Sequence, residues 1–157
     1  MAPKRRLMEY RCIVCPIDES GLSDKAEETA AYLSGLTGAR LILVYVMHKW
    51  YDSSILVTDS EEWGKIHQQW LDDGRELLDR EAERLRARGI RNIKTELRDG
   101  ETAYEIIQIA FEQHANLIVM ATERASLVEK LFGNSVSYNV TNKAPCPVLW
   151  VYSHPRE

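Results

Sequence analysis

Hydrophobic residues along this chain form short runs that alternate with longer segments of helical periodicity. The runs predict strands at 11–17, 40–47, 92–98, 117–121 and 147–152. The third of these alternates between apolar and polar residues and is expected at or near a sheet edge. The segments between them predict helices: 23–34, 60–88, 102–114 and 135–143. This alternation predicts an α/β fold, an open five-stranded parallel sheet with helices on both faces.

The periodicity also predicts which side of each helix faces the core. Ser23 is expected to cap the first helix, Gly35 and Gly38 to end it, and its inward residues to be Ala26, Ala30 and Leu33. The second helix has an apolar stripe of Trp63, Ile66, Trp70, Leu77, Leu78 and Leu85. Gly64 and Gly74 should weaken this helix locally, and the charged residues of 72–88 should form a solvated face. Asp99-Gly100 should turn into the third helix, with inward residues Tyr104, Ile107, Ala110 and Phe111.

Length and composition fit one ordinary domain. The chain has 157 residues, 45% of them hydrophobic, and a formal net charge of −4 that argues against a general nucleic-acid binder. We expect residues 1–8 to be a flexible N-terminal tail and 9–153 to be the domain. No apolar run approaches the ~20 residues of a membrane span, and no signal-peptide core is evident, so we expect a cytoplasmic protein.

The three cysteines do not form a recognisable disulfide framework. Cys12 and Cys15 are three apart on a predicted strand, so they should point to opposite faces and lie about 10 Å apart. That separation excludes a shared zinc ion or a disulfide in an unbroken strand. With Cys146 in another element, all three are predicted to be reduced and buried, and no metal site is expected.

Ligands of open parallel sheets bind beyond the carboxyl ends of the strands, where the strand order reverses. In this chain those positions hold Asp18, the segment 46–48 and the segment 121–124. The sequence contains no phosphate-binding P-loop and no serine in a nucleophile elbow. We therefore predict no catalytic residues and no enzymatic activity.

Three segments together resemble the universal stress protein (UspA) family over essentially the whole chain from about Glu9. They are VCPIDES at 14–20, DGETAYEI at 99–106, and LIVM at 117–120 continued by GNSVS at 133–137 and APCPVL at 144–149. The resemblance implies the adenine-nucleotide alpha-hydrolase-like, Rossmann-like sheet with strand order 3-2-1-4-5. It also implies a stress-response role, with one branch of the family binding adenine nucleotides and another not binding ATP.

For the nucleotide-binding branch, the resemblance implies a Gly-x2-Gly-x9-Gly-(Ser/Thr) loop after the fourth strand. Glycines there let backbone N–H groups approach phosphates. In this chain those positions hold Ala121, Arg124 and Asn134, while Ser135 keeps the hydroxyl. Arg124 could contact a phosphate or fill the pocket. The loop is therefore interpreted as degenerate.

The tentative nucleotide site implied by the resemblance comprises Pro16, Ile17, Asp18, Val46, Met120, Ala121, Arg124, Asn134, Ser135 and Val136. ATP or AMP is the possible ligand, with magnesium only as its companion. Asp18 fits either a nucleotide contact or a turn residue that caps the first helix. Trp50 and Tyr51 could stack on a base or close over an empty pocket.

The last strand is predicted to be an apolar edge. Val148, Trp150 and Tyr152 should lie on one face, and Leu149 and Val151 on the other. An uncharged edge favours pairing with another chain, and the resemblance implies a homodimer through this strand. Cover by the N-terminal tail is the alternative.

Three functions follow from these observations. The first is a non-enzymatic stress-response protein that acts through protein contacts. The second is an ATP- or AMP-binding module that uses Asp18, Arg124 and Ser135. The third is slow ATP hydrolysis or self-phosphorylation, for which no set of residues resembles a general base with an oriented water.

Overall fold

The computed structural model describes residues 7–48, 60–123 and 136–153. Its strands are β1 (Cys12–Pro16), β2 (Arg40–His48), β3 (Ile93–Gly100), β4 (Leu117–Glu123) and β5 (Val148–Ser153). Its helices are α1 (Asp24–Thr37), α2 (Ser60–Ala87), α3 (Thr102–Glu112) and α4 (Val136–Lys143). All neighbouring strands are parallel in the order β3-β2-β1-β4-β5, which confirms the predicted sheet.

Two hydrophobic layers cover the sheet. One packs α1 and α2 on Ile13, Cys15 and the like-facing residues of the other strands, and the second packs α3 and α4 on Cys12 and Val14. The alternation along β1 places Cys12 and Cys15 in different layers, as the strand geometry predicts. Both thiols are buried and free, and that of Cys146 is half-buried and free.

The first helix ends later than predicted and begins without the predicted cap. Ser23 occupies the N-cap position but has helical backbone angles and makes no capping hydrogen bond; its hydroxyl instead bonds to Asp18. The helix continues through Gly35 to Thr37. Gly38 then adopts a left-handed φ of 74° and donates its N–H to the Ser34 carbonyl, as a C-terminal cap does.

The predicted inward face of α3 is partly wrong. Tyr104 and Phe111 are 57% and 55% exposed, whereas Ile106 and Ile109 are fully buried. The helix is apolar on most of its circumference, so the period alone did not fix its rotation. Branched side chains of medium size fill the layer against the sheet, and the two large rings are more than half exposed.

Two further expectations are corrected. Asp99 and Gly100 do not form a turn but complete β3, where they pair with Met47 and His48 of β2. In α2, Leu77, Leu78 and Leu85 are buried as predicted, but Ile66 and Trp70 are 37% and 38% exposed. The N-terminal part of the helix therefore packs less closely than its stripe indicates.

Candidate functional site

The strands separate at the carboxyl end of the sheet between β1 and β4. β1 pairs with β2 along all five of its residues, but with β4 only at Ile13 and Val14. Because the strand order reverses between β1 and β4, this is the switch point at which ligands of open α/β sheets bind. The two strands are not paired beyond Val14, which is the level of the candidate site.

Pro16 accounts for part of this separation. The Ile17 N–H donates to the Val44 carbonyl of β2 at 2.8 Å, and N–H groups alternate in direction along a strand. The position of Pro16 therefore faces β4, and proline has no N–H to donate. The sequence itself thus ends the β1–β4 ladder at the level of the candidate site.

Asp18 follows directly and lies in a hydrogen-bonded turn. Its Oδ1 accepts from the Ser20 N–H at 3.0 Å, from the Ser20 hydroxyl at 2.8 Å and from the Ser23 hydroxyl at 3.4 Å. Its backbone N–H donates to Ser23 Oγ at 3.0 Å. These contacts make Asp18 a turn residue, as one of the two interpretations expected, but none of them is to an N–H group of α1, so they do not cap the helix. The side chain is exposed, and Oδ2 takes part in none of these bonds, so a ligand contact through that oxygen is compatible with the turn.

Other predicted site residues meet in the layer under α3 and α4. Val46, Met120 and Val136 all pack there, with Met120 buried. Ala121 turns to the opposite layer, and its carbonyl accepts from the Ser137 hydroxyl at 3.3 Å. Val46 and Met120 therefore belong to the hydrophobic core as well as to the predicted nucleotide pocket.

Several predicted residues lie outside the described part of the chain. These are Arg124, Asn134 and Ser135 of the loop after β4, and Trp50 and Tyr51 of the connection after β2. Their predicted roles stay predictions. The structure brings the β1 end, Met120 and Val136 to the same end of the sheet.

A cleft of about 480 Å³ lies beside the β1 end, between the β1–α1 loop and the middle of α2. Six carboxylates and one guanidinium line it: Asp18, Glu19, Asp24, Asp73, Glu76, Glu81 and Arg80. Burial raises the pKa of nearby Tyr45, and the charges of Glu19, Asp18 and Asp73 raise it further. The cleft is therefore unfavourable for phosphate groups.

Sequence reasoning missed this acidic lining because it assigned the charges of 72–88 to a solvated helix face. Asp73, Glu76 and Glu81 recur at helical spacing beside the buried Leu77, a pattern that places them on the flank facing α1. The spacing of these carboxylates beside Leu77 was the sequence signal that could have predicted the acidic lining.

Residue types that can bind a metal ion are dispersed in the part of the chain that the structure describes. Within 7–48, 60–123 and 136–153, no three His, Cys, Asp or Glu residues come together as metal ligands. His67 instead pairs through Nε2 with Asp99 Oδ2 at 2.9 Å, which links α2 to the end of β3.

Within the described residues 7–48, 60–123 and 136–153, no helix has both the length and the apolar character that crossing a bilayer requires.

Comparison with known proteins agrees with this architecture. The model of the universal stress protein family matches residues 9–151. Universal stress protein MJ0531 of Methanocaldococcus jannaschii is 31% identical over 150 residues, covering 94% of this chain and 85% of its own. Among solved structures, hypothetical protein MJ0577 superposes with a TM-score of 0.76 at 21% identity, covering 95% of this chain and 100% of its own.

Two other solved structures carry nucleotides. A universal stress protein in complex with cAMP has a TM-score of 0.67 at 20% identity, covering 94% of this chain and 100% of its own. The universal stress protein of Archaeoglobus fulgidus in complex with dAMP has a TM-score of 0.62 at 23% identity, covering 91% and 98%. Fold and sequence agree, and the chain belongs to the universal stress protein family.

Proposed function

We propose that this universal stress protein acts without catalysis, through protein contacts, as a cytoplasmic homodimer that pairs along β5. The observation that carries this proposal is the contrast between the two edges of the sheet. The β3 edge displays Lys94, Glu96 and Arg98, with Lys94 and Glu96 paired at 2.8 Å. Charges of this kind oppose pairing with another strand.

The β5 edge has the opposite character. Its residues carry no charge, and Leu149 and Tyr152 are 39% and 47% exposed. The Pro147 carbonyl accepts from Ile118 of β4 at 3.0 Å, so the alternating backbone groups of Val148, Trp150 and Tyr152 point away from the sheet. An uncharged edge that exposes apolar side chains favours a second copy of the same strand.

The test compares two tyrosines of similar exposure. Tyr152→Lys places a charge on the β5 edge, and Tyr104→Lys places the same charge on α3. We expect light scattering to give a dimer for the wild type and Tyr104→Lys, and a monomer for Tyr152→Lys. A wild-type monomer, or a dimer that Tyr152→Lys leaves intact, would refute the β5 interface. Trp150 is less suitable, because its indole N–H donates to Thr141 Oγ1 at 2.7 Å and its ring packs on the core.

A degenerate nucleotide loop supports a role without ATP. Ala121 occupies the first glycine position of the family loop, its side chain packs on the α1–α2 layer, and its carbonyl is engaged by Ser137. The other two glycine positions hold Arg124 and Asn134. Each added side chain hinders the close approach of backbone N–H groups that a triphosphate needs.

Binding of an adenine nucleotide with one phosphate is the second candidate. It is favoured by the end of the β1–β4 pairing at Val14, at the switch point of the sheet, and by the related structures, whose ligands, cAMP and dAMP, each carry a single phosphate. Asp18 and Met120 would meet the adenosine end, and Arg124 and Ser135 the phosphate. Magnesium would enter only with ATP.

Thermal shift measurements separate the two candidates, because a ligand selective for the folded state raises the melting temperature. Millimolar AMP or cAMP should raise it if the second candidate holds, and Asp18→Asn, which keeps the Oδ1 acceptor of the turn, should reduce the rise. Unchanged melting temperatures with AMP, cAMP and ATP–magnesium would exclude nucleotide binding and leave the dimer proposal standing.

A further inference from the structure

A charge cluster with one buried member joins α1 to α2. The Glu27 side chain is only 2% exposed, although it lies in a helix face of alanines. Its Oε1 accepts from Arg84 Nη2 at 2.7 Å, and Arg84 Nε donates to Glu81 Oε2 at 2.7 Å. One guanidinium therefore bridges two carboxylates across the contact between the helices.

The cluster carries an excess of negative charge when both carboxylates are ionised. Two charges of −1 face a single +1. The side chains of Glu81 and Arg84 are 20% and 37% exposed, but the Glu27 carboxylate is held away from water, where an uncompensated charge is costly. Arg80 lies 3.7 Å from Glu81, but 61% of its side chain is exposed, so water screens it. The uptake of one proton from solvent removes this excess negative charge at the lowest free-energy cost.

Groups on the neighbouring elements do not offset this charge. Beneath Glu27, Cys15 of β1 is fully buried, and burial together with the charge of Glu27 raises the pKa of its thiol, which stays neutral. Asp24, one turn earlier on α1, lines the acidic cleft together with Glu81. The adjacent Glu28 faces solvent and lies 3.8 Å from Arg88.

We propose that the buried Glu27 carboxylate takes up a proton to neutralise the cluster, so that the contact between α1 and α2 is a pH-sensitive device of the fold. In the protonated state the cluster is neutral and both carboxylates hydrogen-bond to Arg84. Above neutrality the proton leaves to solvent, and the cluster adds a negative charge next to a cleft already lined by carboxylates.

The direction of the pH effect follows from proton linkage. Burial, and next the charge of Glu81, raise the pKa of Glu27 from an ordinary 4.5 to about 7, against the lowering effect of Arg84. The folded state therefore binds the proton more tightly than the unfolded state. The resulting stability is fully present below about pH 4.5 and is lost as the pH rises through about 7. Within this window the unfolding equilibrium constant can rise up to about tenfold per pH unit from this group.

Urea unfolding at several pH values between about 5 and 8 tests the proposal with a matched pair of variants. Glu27→Gln removes the titrating group but keeps a hydrogen-bond acceptor for Arg84. Glu28→Gln makes the same change on the exposed neighbour. We expect the unfolding constant of the wild type and Glu28→Gln to rise at least tenfold more across this range than that of Glu27→Gln. Equal pH dependence in all three proteins would overturn the proposal.

A direct titration keeps the test decisive if Glu27→Gln fails to fold. In wild-type protein labelled with carbon-13 at the glutamate carboxyls, one resonance should titrate with a midpoint well above those of the exposed glutamates. Glu81→Gln removes the neighbouring charge and should move that midpoint to lower pH. If every resolved glutamate carboxyl titrates near its ordinary value, the proposal is wrong.

Discussion

Gly74 allows α2 to lie against the sheet, and replacing it by alanine tests this packing. A methyl group at Gly74 would come within 2.8 Å of Leu97 Cδ1 and 2.9 Å of the Tyr45 ring. At Gly64, two to three turns earlier in the same helix, nothing lies within 4 Å of the added methyl. The two glycines, both predicted to weaken the helix, thus differ in their tertiary surroundings.

The magnitudes follow from two opposing effects. Alanine is favoured over glycine inside a helix by about 1 kcal/mol, which applies to both positions. Overpacking at Gly74 costs about 1–3 kcal/mol, because the ring of Tyr45 and the methyl of Leu97 must move aside. We therefore expect Gly64→Ala to raise the free energy of unfolding by up to ~1 kcal/mol, and Gly74→Ala to lower it by as much as ~2 kcal/mol.

Urea denaturation at a fixed pH, supported by thermal melts, measures this difference. One kcal/mol corresponds to about 2–4 °C in a domain of this size. Opposite signs for the two variants would confirm the close approach of α2 to β2 and β3. If Gly74→Ala stabilises the protein as much as Gly64→Ala does, the packing of Gly74 against Tyr45 and Leu97 is not tight.

Two further predictions concern α3. Glu101→Ala should lower the free energy of unfolding by about 1 kcal/mol, because the Glu101 carboxylate caps the helix by accepting from the N–H groups of Ala103 and Tyr104. Glu101→Gln serves as the control in urea unfolding. An alanine variant as stable as the glutamine variant would contradict the cap. Ile109→Ala should lower the free energy of unfolding by about 2–5 kcal/mol and Phe111→Ala by less than about 1 kcal/mol, since Ile109 is fully buried and Phe111 is 55% exposed. The reverse order in urea unfolding would support the inward face that was predicted from the sequence.

The sheet could be predicted because its strands have simple patterns. β1, β2 and β4 are buried on both faces, so they appear as continuous apolar runs, and the helices between them require parallel connections. The rotation of α3 could not be predicted, because apolar residues surround most of that helix. Only the fit against the sheet decides that Ile106 and Ile109 face inward.

The candidate site was predictable in position but not in its electrostatics. The strand ends identify the place, where the sequence predicted Asp18 and the family resemblance implied Pro16. Glu27 was not recognised, because a single carboxylate on an alanine-rich helix usually faces water. Its burial depends on Arg84, 57 residues away in the chain, and this tertiary pairing has no local signal.

Native mass spectrometry of the purified protein tests the central claim most directly, because one spectrum reports both the oligomeric state and any retained ligand. The account predicts a dimer, twice the 18.1 kDa chain mass, without the added mass of a bound nucleotide. A monomer, or a species that carries one adenine nucleotide per chain, would contradict it.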